Sequence, residues 1–170
     1  MSTKRIIACS DSHGFESRLR SALNLAQQRG KIDILVFLGD GFSDFEAIKL
    51  DAQMQNPNIQ MFAVRGNCDL SLSVPNSQLL TVNGATIYAC HGHEWNVKYE
   101  LNTLCYAARE QGAQVVLYGH THVSHLDMQN GLYMINPGTV CNFTTDAVAY
   151  ADIRVDDHGV IKADLMRWDS

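Results

Sequence analysis

Aspartate, asparagine and histidine side chains recur directly after short apolar runs in this chain. Seven of them follow five such runs: Asp11, His13, Asp40, Asn67, His91, His120 and His122. Ligands of open α/β sheets bind at the carboxyl ends of the strands, so we expect these side chains to converge. Imidazole and carboxylate together suit Zn, Mn, Fe, Co or Ni. Seven donors exceed the needs of one tetrahedral zinc and suffice for two ions if one carboxylate bridges them.

Each motif taken alone also has an ordinary structural explanation. Asp11 could belong to a turn that caps a helix, and Asn67 could be a left-handed turn residue. The histidines at 91 and 93 could be a surface alternation at a strand end. Five such coincidences at five strand ends are improbable together, so the sequence favours a metal site.

The elements that would position these residues alternate between strands and helices in the first half of the chain. The apolar runs lie at 5–9, 32–38 and 59–64. A βαβαβ order indicates parallel strands joined by right-handed crossovers. Ser43 and Glu46 form a Ser-x-x-Glu pattern, which predicts a capping box at the start of a second helix that ends near Met54.

The second half is predicted to contain hairpins. Asn83-Gly84 and Asn130-Gly131 are strong signals for two-residue hairpin turns. A third helix is expected over about 97–111, and two final strands over about 148–155 and 160–168. Mixed βα units and hairpins predict an α/β protein with two packed mixed sheets and helices outside them. The length fits one domain over residues 1–170.

Composition restricts the partners and the compartment. The net charge of −5 disfavours non-specific binding to nucleic acid or to a membrane, since both are anionic. No apolar run approaches membrane-spanning length. An odd number of cysteines without a CxxC pair predicts reduced thiols and a cytoplasmic location. Exposed aromatic residues (Trp95, Phe143, Trp168) would be consistent with a homo-oligomer.

The order of the motifs resembles the signature of the calcineurin-like metallophosphoesterases. The matching motifs are Asp11-x-His13, Gly39-Asp40, Gly66-Asn67, His91 and Gly119-His120-x-His122. The small size and three further motifs are similar to the YfcE-type bacterial and archaeal phosphodiesterases: Gly66-Asn67-Cys68-Asp69, His91-Gly92-His93 and Asn136-Pro137-Gly138. The resemblance spans about residues 5–139 and implies a four-layer αββα sandwich.

The resemblance also implies a ligand set for two divalent cations, with manganese expected first and Fe, Ni, Co or Zn as alternatives. One ion would be held by Asp11, His13, Asp40 and His122. The other would be held by Asp40, Asn67, His91 and His120, so that Asp40 bridges the pair. Two divalent ions, two carboxylates and a bridging hydroxide leave the site near +1, which attracts a phosphate ester. The expected reaction is direct attack by the bridging hydroxide.

One position departs from the family pattern. Many relatives carry a histidine, thought to protonate the leaving group, where this chain has Cys68. A thiol is a poor acid near neutral pH, so we expect a phosphodiesterase with a stable leaving group, and His93 as a substitute acid. Asp69 is expected either to support a ligand histidine or to be a turn carboxylate. Asn136 and Thr139 either line the site or bond within their own loop.

Two other functions stay open at this point. A phosphomonoesterase or nucleotide hydrolase would use the same site, and the short loops (the longest near 70–78) favour a small phosphate-ester substrate. A non-catalytic scaffold is the third interpretation, because the same fold serves as a protein-binding subunit of the retromer coat. Degraded ligand sets are typical of that role, whereas every expected ligand is present here.

Overall fold

The chain folds into two β-sheets enclosed by helices, and the computed structural model describes residues 2–169. The strands are β1 (Lys4–Cys9), β2 (Ile34–Phe37), β3 (Gln60–Ala63), β4 (Ser77–Val82), β5 (Ala85–Cys90), β6 (Val115–Leu117), β7 (His125–Gln129), β8 (Leu132–Asn136), β9 (Val148–Val155) and β10 (Ile161–Arg167). The helices are α1 (Glu16–Gln28), α2 (Phe42–Gln55), α3 (Asn102–Glu110) and a short 3₁₀ turn (His93–Trp95).

Both sheets are mixed and have five strands each. The first has the order β10-β9-β1-β2-β3. In it β1, β2 and β3 are parallel, β9 is antiparallel to β1, and β10 is antiparallel to β9. The second has the order β4-β5-β6-β8-β7, in which β5, β6 and β8 are parallel. The two predicted hairpins join β4 to β5 and β7 to β8. The parallel strands of each sheet therefore deliver their carboxyl ends to the same rim.

Alternating side chains of each strand separate the layers. In β1, Ile6 and Ala8 belong to the core between the two sheets, whereas Ile7 and Cys9 belong to the core beneath α1 and α2. A third cluster joins the outer face of the second sheet to α3. Two sheets with helices on both outer faces confirm the predicted four-layer αββα sandwich.

The predicted capping box of α2 is wrong. The helix begins at Phe42, and its N-cap residue, Gly41, has no side chain to cap it. The Asp69 carboxylate, which follows β3, accepts hydrogen bonds from the amides of Gly41 and Phe42 at 2.9 Å each. The cap is therefore supplied from another part of the chain, which a local Ser-x-x-Glu pattern does not show.

The third helix is shorter than the predicted span of 97–111. Asn96 adopts a left-handed conformation after the 3₁₀ turn, and this interrupts the helical periodicity. The Glu100 carboxylate then accepts hydrogen bonds from the amides of Asn102 and Thr103, so the helix starts at Asn102. The apolar spacing continues through the turn because Val97 is buried there without being helical.

The aromatic residues that favoured self-association differ in exposure. Phe143 is exposed, but Trp95 and Trp168 are partly buried against the cores. The Arg18 guanidinium lies 3.9 Å from the Trp168 ring centroid and covers it. Trp95 and Trp168 therefore contribute to packing, and the expected homo-oligomer stays a prediction.

Two further sequence expectations concern the cysteines and the membrane. All five cysteines are free in the structure, and their reduced state in the cell stays a prediction. Among the described residues, no helix combines the length and the apolar character that crossing a membrane requires.

A buried ion pair ties the first sheet to α1. Arg5 on β1 donates to Asp152 Oδ2 on β9 through Nε at 2.9 Å and Nη2 at 2.7 Å. Its Nη1 donates to the carbonyl oxygens of Ala26 and Gly30 at 2.8 Å each. Both charged side chains are almost fully buried, so neither has water as an alternative partner.

Replacing Asp152 by alanine is expected to destabilise the protein by about 3–5 kcal/mol, because it leaves a buried guanidinium without its counter-charge. Urea denaturation measures the change. Asp157→Ala removes an exposed carboxylate and serves as the control, with an expected effect of at most about 1 kcal/mol. Equal losses for the two variants would contradict this account of the pair.

Candidate metal centre

All seven sequence-predicted ligand residues lie on one rim, just beyond the carboxyl ends of five strands. Asp11 and His13 follow β1, Asp40 follows β2, and Asn67 follows β3. From the second sheet, His91 follows β5, while His120 and His122 follow β6. The inner side of this cluster is buried (Asp11, Asp40, His91), and its outer side is exposed (His13, Asn67, His122).

Asp11 is fully buried and has one carboxylate oxygen without a hydrogen-bond donor. Its Oδ2 accepts hydrogen bonds from the Ser10 hydroxyl and from the His120 amide. Its Oδ1 has no donor among the described residues. The Nε2 atoms of His122, His13 and His91 lie at 3.2, 3.5 and 3.9 Å from Oδ1. A buried, unpaired carboxylate oxygen surrounded by imidazoles is the environment that a divalent cation fits.

Asp40 shows the same division between its two oxygens. Its Oδ1 accepts a hydrogen bond from the Cys68 amide at 2.8 Å. Its Oδ2 lies 3.3 Å from His91 Nε2 and 3.8 Å from His13 Nε2. Asp40 thus stands between a histidine of the first sheet and a histidine of the second.

His91 is oriented by the backbone. Its Nδ1 lies 2.6 Å from the Leu38 carbonyl oxygen, to which it donates, so Nε2 carries the free lone pair of the neutral ring. That lone pair faces oxygen acceptors, including Asn67 Oδ1 at 3.1 Å and Asp40 Oδ2. A neutral His91 has no proton on Nε2 to donate to these oxygens. A cation bound between them would be coordinated by His91 Nε2, Asn67 Oδ1 and Asp40 Oδ2 together.

The donor atoms form three overlapping groups, within each of which all atoms lie within 4.8 Å of one another. They are Asp11, His13 and His122; Asp40, His91 and His120; and His13, Asp40 and Cys68. The first two groups fit the two ligand sets that the family resemblance implies. The third brings in a thiol that those sets do not include.

Five of the seven candidate ligands adopt left-handed backbone conformations, with φ between 45° and 68°. They are Asp11, His13, Asp40, His120 and His122. Non-glycine residues rarely adopt this conformation, and it concentrates at functional sites. Gly39 has the same hand: a Cβ there would lie 2.8 Å from His91 Nδ1 and 2.6 Å from the Gly66 nitrogen.

Asp69 fixes the loop that carries Asp40. Its carboxylate accepts hydrogen bonds from the amides of Asp40, Gly41, Phe42 and Gly66 at 2.8–2.9 Å. The expected contact with a ligand histidine is not among these bonds, since the partner of His91 is the Leu38 carbonyl group. Asp69 instead holds the backbone of two ligand loops together.

Asn136 and Thr139 also reach beyond their own loop. Asn136 donates through Nδ2 to the carbonyl oxygen of Gly119 and to the Thr121 hydroxyl, each at 3.0 Å. Thr139 donates through its hydroxyl to the Asp11 carbonyl oxygen at 2.6 Å. The competing expectation, bonding within one loop, describes only part of their contacts, such as the Gly138 amide donating to Asn136 Oδ1.

The two candidates for leaving-group protonation occupy different edges of the cluster. The His93 ring lies 5.4 Å from that of His91 and 6.1 Å from that of His120, and its buried Nδ1 has no hydrogen-bond partner within residues 2–169. Cys68 is exposed beside Asp40. Burial and the Asp40 carboxylate raise the pKa of the Cys68 thiol, so it is a weak acid.

The carboxylates and histidines shift one another's pKa values. Burial lowers the pKa of His91, but Asp40 and Asp11 more than offset it, and the pKa is raised. The Asp11 carboxylate, whose Oδ1 lies 3.2 Å from Nε2 of His122, raises the pKa of that histidine. Burial raises the pKa of Asp40. His91 and the hydrogen bond from the Cys68 amide lower it by a larger amount, so the net shift is downward. Burial and then His91 lower the pKa of His120.

Sequence reasoning missed two supporting side chains, Asp44 and Ser10. The buried Asp44 accepts hydrogen bonds from the Ser12 hydroxyl at 2.5 Å and from the Gly14 amide at 2.9 Å, which braces the loop after β1. Its position in the first turn of α2 is a usable signal, although the Ser-x-x-Glu pattern predicts a capping box in that turn. The Ser10 hydroxyl bond to Asp11 follows from their adjacency only once the strand end is known.

Comparison with known proteins finds similar proteins that are named phosphoesterases. The calcineurin-like phosphoesterase superfamily domain matches residues 5–158. The probable metallophosphoesterase YsnB of Bacillus subtilis is 30% identical over 136 residues, which cover 79% of this chain and 74% of YsnB. Phosphodiesterase MJ0936 of Methanocaldococcus jannaschii is 24% identical over 150 residues, covering 80% and 84%. A crystal structure of a conserved uncharacterized protein, a predicted phosphoesterase, from Streptococcus pneumoniae superposes with a TM-score of 0.76 at 25% identity, covering 99% and 92%.

The shifted histidines predict a pH-dependent stabilisation by cations. Mn²⁺ at about 100 times its dissociation constant should stabilise the folded state by about 2.7 kcal/mol at a pH where the imidazoles are neutral. Raised pKa values of His91 and His122 mean that protons compete with the cation even above the ordinary value of 6.5, so the gain should shrink as the pH falls.

Thermal unfolding with and without Mn²⁺ across the pH range measures this gain. The metal-free protein is the reference, because the raised pKa of these two histidines makes its own stability change with pH in the opposite direction to the cation-induced gain. It contributes stability below their ordinary pKa that is lost as the pH rises. A cation-induced gain that stays constant from about pH 8 to about pH 5 would show that the histidines are not ligands.

Proposed function

The chain belongs to the calcineurin-like phosphoesterase superfamily, and from this we propose that it is a phosphodiesterase that uses two divalent cations to hydrolyse a small phosphate ester. The family is metal-dependent, and the candidate donor groups lie on one exposed rim. We further propose that the whole chain serves as one metallophosphoesterase domain.

The observation that carries the proposal is that the two oxygens of each buried carboxylate have different surroundings. Asp11 and Asp40 each give one oxygen to backbone or hydroxyl donors and leave the other toward imidazole nitrogens. Two such oxygens need compensating positive charge. Divalent cations would provide that charge.

We assign the ligands as two sets that share one carboxylate. Asp11, His13, Asp40 and His122 would hold one cation, and Asp40, Asn67, His91 and His120 would hold the other. The shared position of Asp40 is supported by its Oδ2, which lies within 4 Å of Nε2 of both His13 and His91. When bound, such a pair supplies Lewis acidity and lowers the pKa of water so that hydroxide is available at neutral pH.

The chain's own residues hold these donors and open the site on one side. The Leu38 carbonyl group keeps the His91 tautomer fixed, and Asp69 keeps the Asp40 loop in place. The exposed side of the cluster, at His13 and His122, admits an anionic ester from solution. The buried side, at Asp11, excludes water from the carboxylates and strengthens their interactions.

We propose manganese as the physiological cation, because the family resemblance implies it first. Two carboxylates, an amide oxygen and four imidazoles form a mixed oxygen and nitrogen set, which suits Mn²⁺ and also accepts Fe, Ni, Co or Zn. The free cysteines are consistent with a cytoplasmic, reducing location, where we place the enzyme.

A diester is the favoured substrate because proton donation to a leaving group is weak here. The thiol at Cys68 has a raised pKa and is a poor acid. His93 is the remaining candidate, since its buried Nδ1 has no partner in the described part of the chain and its ring lies beside His91 and His120. A monoester with a poor leaving group would demand more of such an acid than a diester with a stable leaving group does.

Hydrolysis of an aryl phosphodiester and of the matching aryl monoester, with Mn²⁺ present, tests the activity. We expect the diester to react faster, and Asp40→Asn to reduce the rate to background because it removes the shared carboxylate charge. Asp127→Asn, on the exposed face of β7, is the matched control and should keep full activity. A faster monoester reaction would support the phosphomonoesterase alternative. The absence of both bound metal and hydrolysis would support a scaffold.

Replacing His93 by alanine tests its role as proton donor. The rate should fall by about 10²-fold or more for diesters with poor leaving groups and change little for those with good ones, because only the former need protonation. The slope of log kcat against leaving-group pKa measures this dependence. An unchanged slope would exclude His93 as the general acid.

A further inference from the structure

Cys68 places a thiol at the exposed edge of the candidate metal centre, in contact range of other donors. Its sulfur, a ring nitrogen of His13 and a carboxylate oxygen of Asp40 all lie within 4.8 Å of one another. Cys68 is the most exposed of the five cysteines, whereas Cys9, Cys90 and Cys105 are buried. A cation from solution therefore has access to the thiol and to two further donors at once.

The backbone and a neighbouring amide hold the thiol in this position. The Cys68 amide donates to Asp40 Oδ1 at 2.8 Å, which leaves Asp40 Oδ2 available to a cation. The Asn67 side-chain amide donates to the Cys68 sulfur at 3.5 Å. His13 Nε2 lies 3.8 Å from Asp40 Oδ2, a separation that one ion bound to both can span.

We propose that His13, Asp40 and Cys68 form a site for soft, thiophilic divalent cations, such as Zn²⁺ or Cd²⁺, that overlaps the proposed hydrolytic centre. A thiolate ligand favours soft ions, whereas the oxygen and imidazole donors around it also suit harder ions such as Mn²⁺. Binding releases the thiol proton to solution and forms one sulfur–metal bond without any redox change.

The overlap has a direct consequence for metal selectivity. A soft ion held by His13 and Asp40 takes two donors from the proposed Mn²⁺ pair, including the carboxylate that the two ligand sets share. Soft and hard cations therefore compete for the rim, and Cys68 biases that competition. This inference adds metal selectivity to the proposed function, but its test depends on spectra and affinities rather than on hydrolysis.

Titration of the metal-free protein with Co²⁺ tests the site directly. Sulfur ligation gives a thiolate-to-cobalt charge-transfer absorption in the near ultraviolet. We expect this band in the wild type and in Cys141→Ser, and its loss in Cys68→Ser. Cys141 is a matched control because it is the other cysteine that is not buried, and its sulfur donates to the Ser12 carbonyl oxygen at 2.9 Å.

Calorimetric affinities provide a second readout. Cys68→Ser should weaken Cd²⁺ binding by more than the roughly 10–100-fold that loss of an outer partner costs, and should leave Mn²⁺ affinity unchanged. Stabilisation of the variant by Mn²⁺ reports that it is folded, and Cys68→Ala provides the same test if the serine variant is not.

The outcomes separate this inference from the proposed function. A Co²⁺-stabilised wild type without the band, or a band that survives in Cys68→Ser, would overturn the thiol site while leaving the hydrolytic centre in place. A protein that binds neither Co²⁺ nor Mn²⁺ would overturn the proposed function itself.

Discussion

Two buried carboxylates, each with one oxygen close to imidazole nitrogens, determine how this rim is built. Asp11 and Asp40 are almost inaccessible, and each has one oxygen that lies within 4 Å of imidazole nitrogens. Burying a charge is costly unless a counter-charge or donors replace the lost water. The surrounding histidines, the fixed tautomer of His91 and the exposed outer side all follow from the need to compensate this charge.

The four-layer arrangement is what brings the donors of the two halves together. The first sheet supplies both carboxylates and Asn67, and the second supplies His91 and the histidine pair after β6. The apolar core between the sheets therefore sets the distance from carboxylate to imidazole. Gly39 permits a close approach of the strand ends, because any side chain there would collide with His91 and with the Gly66 backbone.

Much of this could be predicted from the sequence, because the informative signals are local. Apolar runs that end in Asp, Asn or His located the strand ends, and Asn-Gly pairs located both hairpins. The errors concern partners that are distant in the chain. Asp69 caps α2 from 27 residues away. No local sequence pattern predicts that its carboxylate accepts hydrogen bonds from four amides. The start of α3 was misplaced because buried Val97 keeps a helical spacing within a turn.

Cys68 shows how a single position can affect two properties of one site. Because its thiol is a weak acid, Cys68 protonates a leaving group poorly. Because sulfur is a soft donor, it also changes which ions the rim prefers. Both effects follow from its location next to Asp40, where its amide is fixed whichever side chain the residue carries.

The left-handed conformation of five candidate ligands affects how ions arrive and leave. These residues are held by strand ends and by side chains such as Asp69 and Thr139, whose bonds do not involve an ion. Hydrogen bonds within the protein hold these loops, so we expect little ordering to accompany ion binding. One ion should replace another by simple exchange from solution, so the occupant of the rim would follow the ions that its surroundings supply.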